Sequence, residues 1–206
     1  HGHWPRRLPV MPERGSLREL DAWQISGHCI PLGIKYSDLT PAAVDLRDDY
    51  CFLITGTDRS AIGGFLKALE DMLQNRDPED RICAFGKGGD MADAKSRLEE
   101  IVQELNARKK AQSRAMREAG GDGGDFSPQE FLASYGRIVI VIEDIKEWTE
   151  SFNERDRGIM ERICRQARGL GIMVIAAGSR DDIALLQASD ALTAAILASG
   201  KALGLP

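Results

Sequence analysis

The chain has 206 residues, 43% hydrophobic and 29% charged, and a formal net charge of −5. Such a chain can bury one well-filled core, and the composition excludes disorder as its default state. The acidic balance argues against a stand-alone nucleic-acid binder, because phosphate neutralisation supplies most of that affinity. No apolar run approaches the roughly 18 residues needed to cross a membrane.

His1-Gly2-His3 reads as a vector-derived scar, and residues 1–15 as that scar plus an inter-domain linker. The remaining 16–206 are expected to form one domain. After the proline-rich stretch 5–12, Ser16 is a candidate N-cap for a short helix. Residues 30–46 read as short extended pieces interrupted by Gly33 and Pro41. CFLIT, residues 51–55, is a continuous apolar run ending in glycine, the pattern of a strand buried on both faces. Phe65, Leu66, Leu69, Met72 and Leu73 then recur at helical spacing, and RICAF, residues 81–85, predicts a second strand before the turn-rich GKGGD.

A long amphipathic helix is predicted over 91–118, with Leu98, Ile101, Val102 and Leu105 on one face. Glu99, Glu100, Glu104 and Arg108 fall on the opposite, polar face. GGDGG at 120–124 predicts a surface loop. RIVIVIED, residues 137–144, is the most apolar strand candidate and ends in two carboxylates. A helix over 156–170, a buried strand within 171–180 and a short helix near 182–187 follow, while 191–198 fits strand or helix equally. The four cysteines, Cys29, Cys51, Cys83 and Cys164, lie far apart and suit reduced thiols rather than a disulfide framework or zinc site.

Strands alternating with helices predict an α/β fold with a parallel, doubly wound sheet. The sheet should be mostly parallel, with helices on both faces in three layers. Ligands of such sheets bind at the carboxyl ends of the strands. There, a phosphate loop needs a strand, G-x-x-x-x-G-K-[ST] and a helix. Its amides cradle phosphates, its lysine reaches the β/γ-phosphates and its hydroxyl holds Mg²⁺.

Gly56, Thr57, Asp58, Arg59, Ser60, Ala61, Ile62 and Gly63 stand at those positions. Ala61 replaces the second glycine, Ile62 the lysine and Gly63 the Ser/Thr. Asp58 adds a negative charge opposed by Arg59, and Lys67, one turn on, should point away along the helix. Glu143 and Asp144 occupy the places of the acidic strand end that organises Mg²⁺ and water in active ATPases, in inverted order. A simpler reading also stands: an ordinary strand-to-helix turn and two carboxylates capping a strand end.

The ordered phrases RLPVMPERGSLREL, IPLGIKYSDLTPAAVDLRDDYCFLITG, FGKGGD, IVIVIED and ARGLGIMVIAAGSR resemble the FtsK/SpoIIIE-type ATPase domains of type VII secretion coupling proteins (EssC/EccC type). The altered loop makes the chain similar to the degenerate, membrane-distal domains of that family. The resemblance implies a P-loop NTPase fold (RecA/FtsK-like) and a domain that does not hydrolyse ATP on its own, requires no cofactor and binds ATP or Mg²⁺ weakly if at all. It further implies adjacent ATPase domains as partners, homo-oligomers of the full-length protein and WXG100-type secreted proteins as substrates. The expected place is the cytoplasmic face of the cell membrane, with the anchor outside this chain. Arg165, Arg168 and Arg180 are candidates for an arginine offered to a neighbouring subunit, or else plain surface arginines. Two alternatives stand beside this reading: a functional ATP-hydrolysing domain of the translocase, and a DNA translocase domain, which the acidic balance disfavours.

Overall fold

The structure is a computed structural model that describes residues 29–34, 41–45, 49–74, 80–86, 91–121, 126–199 and 201–205. The proline-rich stretch, the helix expected from Ser16 and most of the GKGGD turn lie outside the described residues. The chain divides into two compact units, residues 1–45 and 46–206. In the first, β1 (Cys29–Ile34) and β2 (Pro41–Asp45) pair antiparallel, with a register shift between Pro31 and Gly33.

The second unit is built on five strands: β3 (Cys51–Gly56), β4 (Arg81–Phe85), β5 (Ile138–Ile142), β6 (Ile172–Ser179) and β7 (Ala202–Gly204). Their order is β4-β5-β6-β3-β7, and every pairing is parallel. All of β5 and nearly all of β6 is buried, which explains why these strands are continuous apolar runs rather than alternating ones. Alternate side chains serve opposite faces. Leu53, Ile140 and Val174 join a core with Leu98 and Ile101 of α2 (Met91–Gly121) and with Met160 and Ile163 of α5 (Glu154–Gln166). Phe52, Ile54, Val141 and Ile175 are buried outside that cluster, on the face covered by α1 (Arg59–Gln74). The α/β class with a parallel sheet and helices on both faces is therefore as expected.

Local chemistry accounts for the differences. Segment 191–198, open between strand and helix, is helix α7 (Ala191–Leu197), because Asp190 Oδ2 accepts from the Thr193 amide at 2.7 Å and from its hydroxyl at 2.8 Å. Two short helices were not foreseen. α3 (Pro128–Ala133) starts on the Ser127 cap with proline in its first turn, and α4 (Ile145–Ser151) starts on Asp144. α5 starts before Asp156 because the Asn153 side chain caps it, and it stops at Gln166, ahead of Gly169 and Gly171 at φ 70 and 68. α2 continues through Gly120 and Gly121, where a loop was expected; the rest of that loop is outside the described residues.

Arg108 departs most from its sequence reading. Expected on the polar face of α2, it is 4% exposed. Its guanidinium donates to the carbonyls of Leu170 at 2.9 Å and Gly136 at 2.8 Å, and to Glu104 at 2.8 Å, with the Tyr135 ring 5.0 Å away. Backbone carbonyls just before β5 and β6 thus find their partner in a buried cation from the long helix. α6 (Arg180–Gln187) follows β6 directly.

Candidate functional site

The segment expected to form a phosphate loop is mostly helix. α1 begins at Arg59, directly after Thr57 and Asp58, so Ser60, Ala61, Ile62 and Gly63 lie within its first turns. Asp58 starts it: its Oδ1 accepts the Ser60 amide at 2.8 Å, and its carbonyl accepts the Ile62 amide at 3.1 Å. Ile62, at the lysine position, is buried and is the first member of the stripe Ile62, Leu66, Leu69, Met72, Leu73. An apolar residue here anchors the helix on the sheet, a role that a lysine could not fill at that depth.

Gly56 has a packing role. A Cβ there would meet the Leu205 Cβ at 3.2 Å and its carbonyl at 3.3 Å, while the Leu205 amide donates to the Thr55 carbonyl at 2.6 Å. The missing side chain lets the segment after β7 close over the end of β3. Gly63 faces open space, with nothing within 4 Å of an added Cβ.

Arg59 reaches across the carboxyl edge of the sheet. It donates to Asp182 Oδ2 at 2.8 Å and stands 3.5 Å from Asp144 Oδ2. Lys146 Nζ lies 3.1 Å from Asp182 Oδ1. The Ser179 hydroxyl donates to the same carboxylate, whose own amide returns a bond to Ser179 Oγ at 3.2 Å. The Ser179 hydrogen bond, together with Lys146 and Arg59, holds the Asp182 carboxyl below the usual carboxylate range, against the opposing effect of burial. Asp182 in turn raises the pKa of Arg59, as does Asp144, and it raises that of Lys146. Asp144 also caps α4, accepting the amides of Lys146 at 3.0 Å and Glu147 at 3.2 Å.

Glu143 turns elsewhere. Its amide donates to the Phe85 carbonyl at 3.2 Å, and its carboxylate lies over Gly86, where an added Cβ would collide with it. The Glu70 carboxyl is pushed up, first by burial and then by the charges of Glu143 and Asp71. A cavity of ≈ 490 Å³ opens between α1 and the start of α4, with Ile62, Gly63, Glu70, Glu143 and Asp144 on its wall. Lys67, expected to point away, lines the same cavity.

Of the three candidate trans arginines, Arg180 opens α6 at the carboxyl edge of the sheet and is exposed. Arg165, paired with Glu161 at 2.8 Å, and exposed Arg168 precede β6, at the sheet's opposite edge. Sequence reading missed Lys146, Ser179 and Asp182. Only the S-x-x-D pattern at 179–182, a capping-box signature, marked any of them.

A parallel sheet, a strand–turn–helix at its carboxyl edge and an acidic strand end beside it make up the layout of a P-loop ATPase domain. No family model matches the sequence. The ESX secretion system protein EccC of Geobacillus thermodenitrificans (strain NG80-2) is 22% identical over 204 residues, covering 92% of this chain and 13% of that protein. The solved cytoplasmic domain of EssC shares the fold at a TM-score of 0.69 and 20% identity, over 97% of this chain and 41% of its own. Thermomonospora curvata EccC (ATPases 2 and 3), solved with a signal sequence peptide, matches at a TM-score of 0.63 and 17% identity, over 97% and 37%. The chain is homologous to the EccC/EssC type VII secretion ATPases and has the fold of their ATPase domains. It spans a small fraction of the length of the EccC protein that it matches. No helix among the described residues is long and apolar enough to cross a membrane.

Proposed function

We propose that this chain is a degenerate, non-hydrolysing ATPase domain of a type VII secretion motor, acting in export-substrate recognition or in regulation of neighbouring ATPase domains. The observation that carries the reading is the helix at Arg59–Gly63, with buried Ile62 where a lysine would meet phosphate. The cradle of free amides is replaced by helical hydrogen bonds, and Gly63 offers no hydroxyl to a metal. Asp144 is held by two amides and Arg59, and Asp182 by Arg59 and Lys146. These residues do not fit a Mg-nucleotide, so no step of ATP chemistry is assigned to them.

The partners under this reading are adjacent ATPase domains of the full-length protein and WXG100-type secreted proteins. A relative solved with a signal sequence peptide supports a role in substrate capture. A membrane-associated position and oligomers of the full-length protein complete the proposal. Calorimetry of the folded chain against millimolar Mg-ATP, with a phosphate-release assay, tests it. The expected result is no heat of binding and no turnover. Turnover lost in Glu143→Gln would overturn the reading.

A further inference from the structure

The cavity beside α1 has the wrong sign for a phosphate. Among the described residues, its wall carries Glu70, Asp71, Glu143, Asp144 and Glu147 against Arg59 and Lys67. Arg59 is already committed to Asp144 and Asp182. Glu70 is part-buried, and among the described residues its solvent-shielded Oε1 has no hydrogen-bond partner, an arrangement that costs free energy unless a donor arrives. The carboxyl of Glu70 is also held above its ordinary range by burial and by Glu143, so a nearby positive charge would relieve both effects.

The negative charge is spread around the cavity. Among the described residues, no three carboxylate, histidine or cysteine side chains converge to hold a metal ion. The wall also contains Ile62 and Leu66, both buried members of the helix's apolar stripe. A volume of ≈ 490 Å³ with apolar and acidic walls matches a group with an aliphatic stem and a broad cationic head. A guanidinium or ammonium group entering the cavity would face Glu70 and Glu143, which both line it, with its methylenes along the wall that Ile62 and Leu66 help to form. Resting on the reading that this site no longer serves nucleotide, we infer that the cavity receives an arginine or lysine side chain presented by a basic polypeptide segment.

The probe is an acetylated, amidated hexa-arginine peptide titrated into the isotope-labelled chain, with amide shifts followed by NMR. The expected result is a saturable shift of the Gly63 and Lys67 amides. Combining Glu70→Gln with Glu143→Gln should weaken this binding about tenfold, the scale of one lost charge-assisted hydrogen bond. Glu99→Gln, on the exposed face of α2, should leave it unchanged. Lys67→Ala removes a competing cation and should tighten binding about threefold. Binding indifferent to the Glu70 and Glu143 changes would overturn the inference, as would spermidine shifting the same amides at equal affinity, which would point to a free polyamine. No peptide binding and no Mg-ATP binding would overturn this inference alone. Mg-ATP shifting the Gly63 amide would overturn the reading beneath it.

Discussion

The Arg59 guanidinium donates to the Asp182 carboxylate at 2.8 Å, joining the start of the helix after β3 to the helix after β6. Asp144, from the end of β5, stands 3.5 Å from the same guanidinium. Three segments at the carboxyl edge of the sheet are thus tied to one another by the protein's own charges.

This network has a pH signature. Asp182 titrates below the ordinary carboxylate value, so the unfolded chain takes up its proton first as pH falls. Its contribution to stability is full above about pH 4 and is lost as pH falls through the lowered native value. Arg59→Ala should raise the Asp182 titration midpoint, read by carboxyl-carbon NMR. An unmoved midpoint would show that Ser179 and Lys146 suffice.

Glu70 runs the opposite way. Its carboxyl is raised in the folded state, so its contribution to stability is full below the ordinary glutamate value and is lost as pH rises through the raised one. Glu70→Gln should therefore raise Tm at pH 7 and leave it nearly unchanged at pH 4. Equal shifts at both pH values would contradict the assignment.

Helical geometry at Gly63 and Gly64 makes a further prediction. Among the described residues, neither has anything within 4 Å of an added Cβ, and both sit inside α1. Gly64→Ala should stabilise the chain by about 0.5–1 kcal/mol, measured by urea unfolding. A loop conformation at these positions would give no gain or a loss.

Restoring the phosphate-loop residues should not restore hydrolysis. Ile62→Lys with Gly63→Thr puts the charge and hydroxyl back, but on a helix turn whose first position packs on the sheet. The expected outcome is no Mg-ATP turnover and a loss of stability. Ile62→Ala alone should cost about 2–5 kcal/mol in chemical unfolding. Turnover in the double variant would show that the loop reforms.

Arg108→Ala should destabilise more than its place on a charged helix suggests. It leaves the Leu170 and Gly136 carbonyls without their guanidinium donor, at about 1.5–3 kcal/mol for each charged hydrogen bond. Arg114→Ala, at an exposed pair on the same helix, should leave the unfolding midpoint nearly unchanged.

Several of these features were legible beforehand. The runs at 51–55 and 138–142 read as strands covered on both faces, because continuous apolar side chains along a strand need a layer on each side. The loss of lysine and hydroxyl at Ile62 and Gly63 was equally plain, since a missing chemical group needs no coordinates. The capping pairs Asp190–Thr193 and Ser179–Asp182 are present as local patterns too.

Residue identity and short-range periodicity settled the α/β class, the buried strands and the absent phosphate-binding groups, because these follow from side chains within one turn or one strand. The start of α1 at Arg59, the contact of Leu205 with Gly56 and the Arg59–Asp182 pair came only with the tertiary structure. They depend on strand order: β6 and β7 flank β3, which brings residues 123 positions apart in sequence into one hydrogen bond. Arg108 divides the two: seven residues after Ile101 and three after Leu105, it falls on the buried stripe by helical period, but the carbonyls of Gly136 and Leu170 that receive its guanidinium come from other segments.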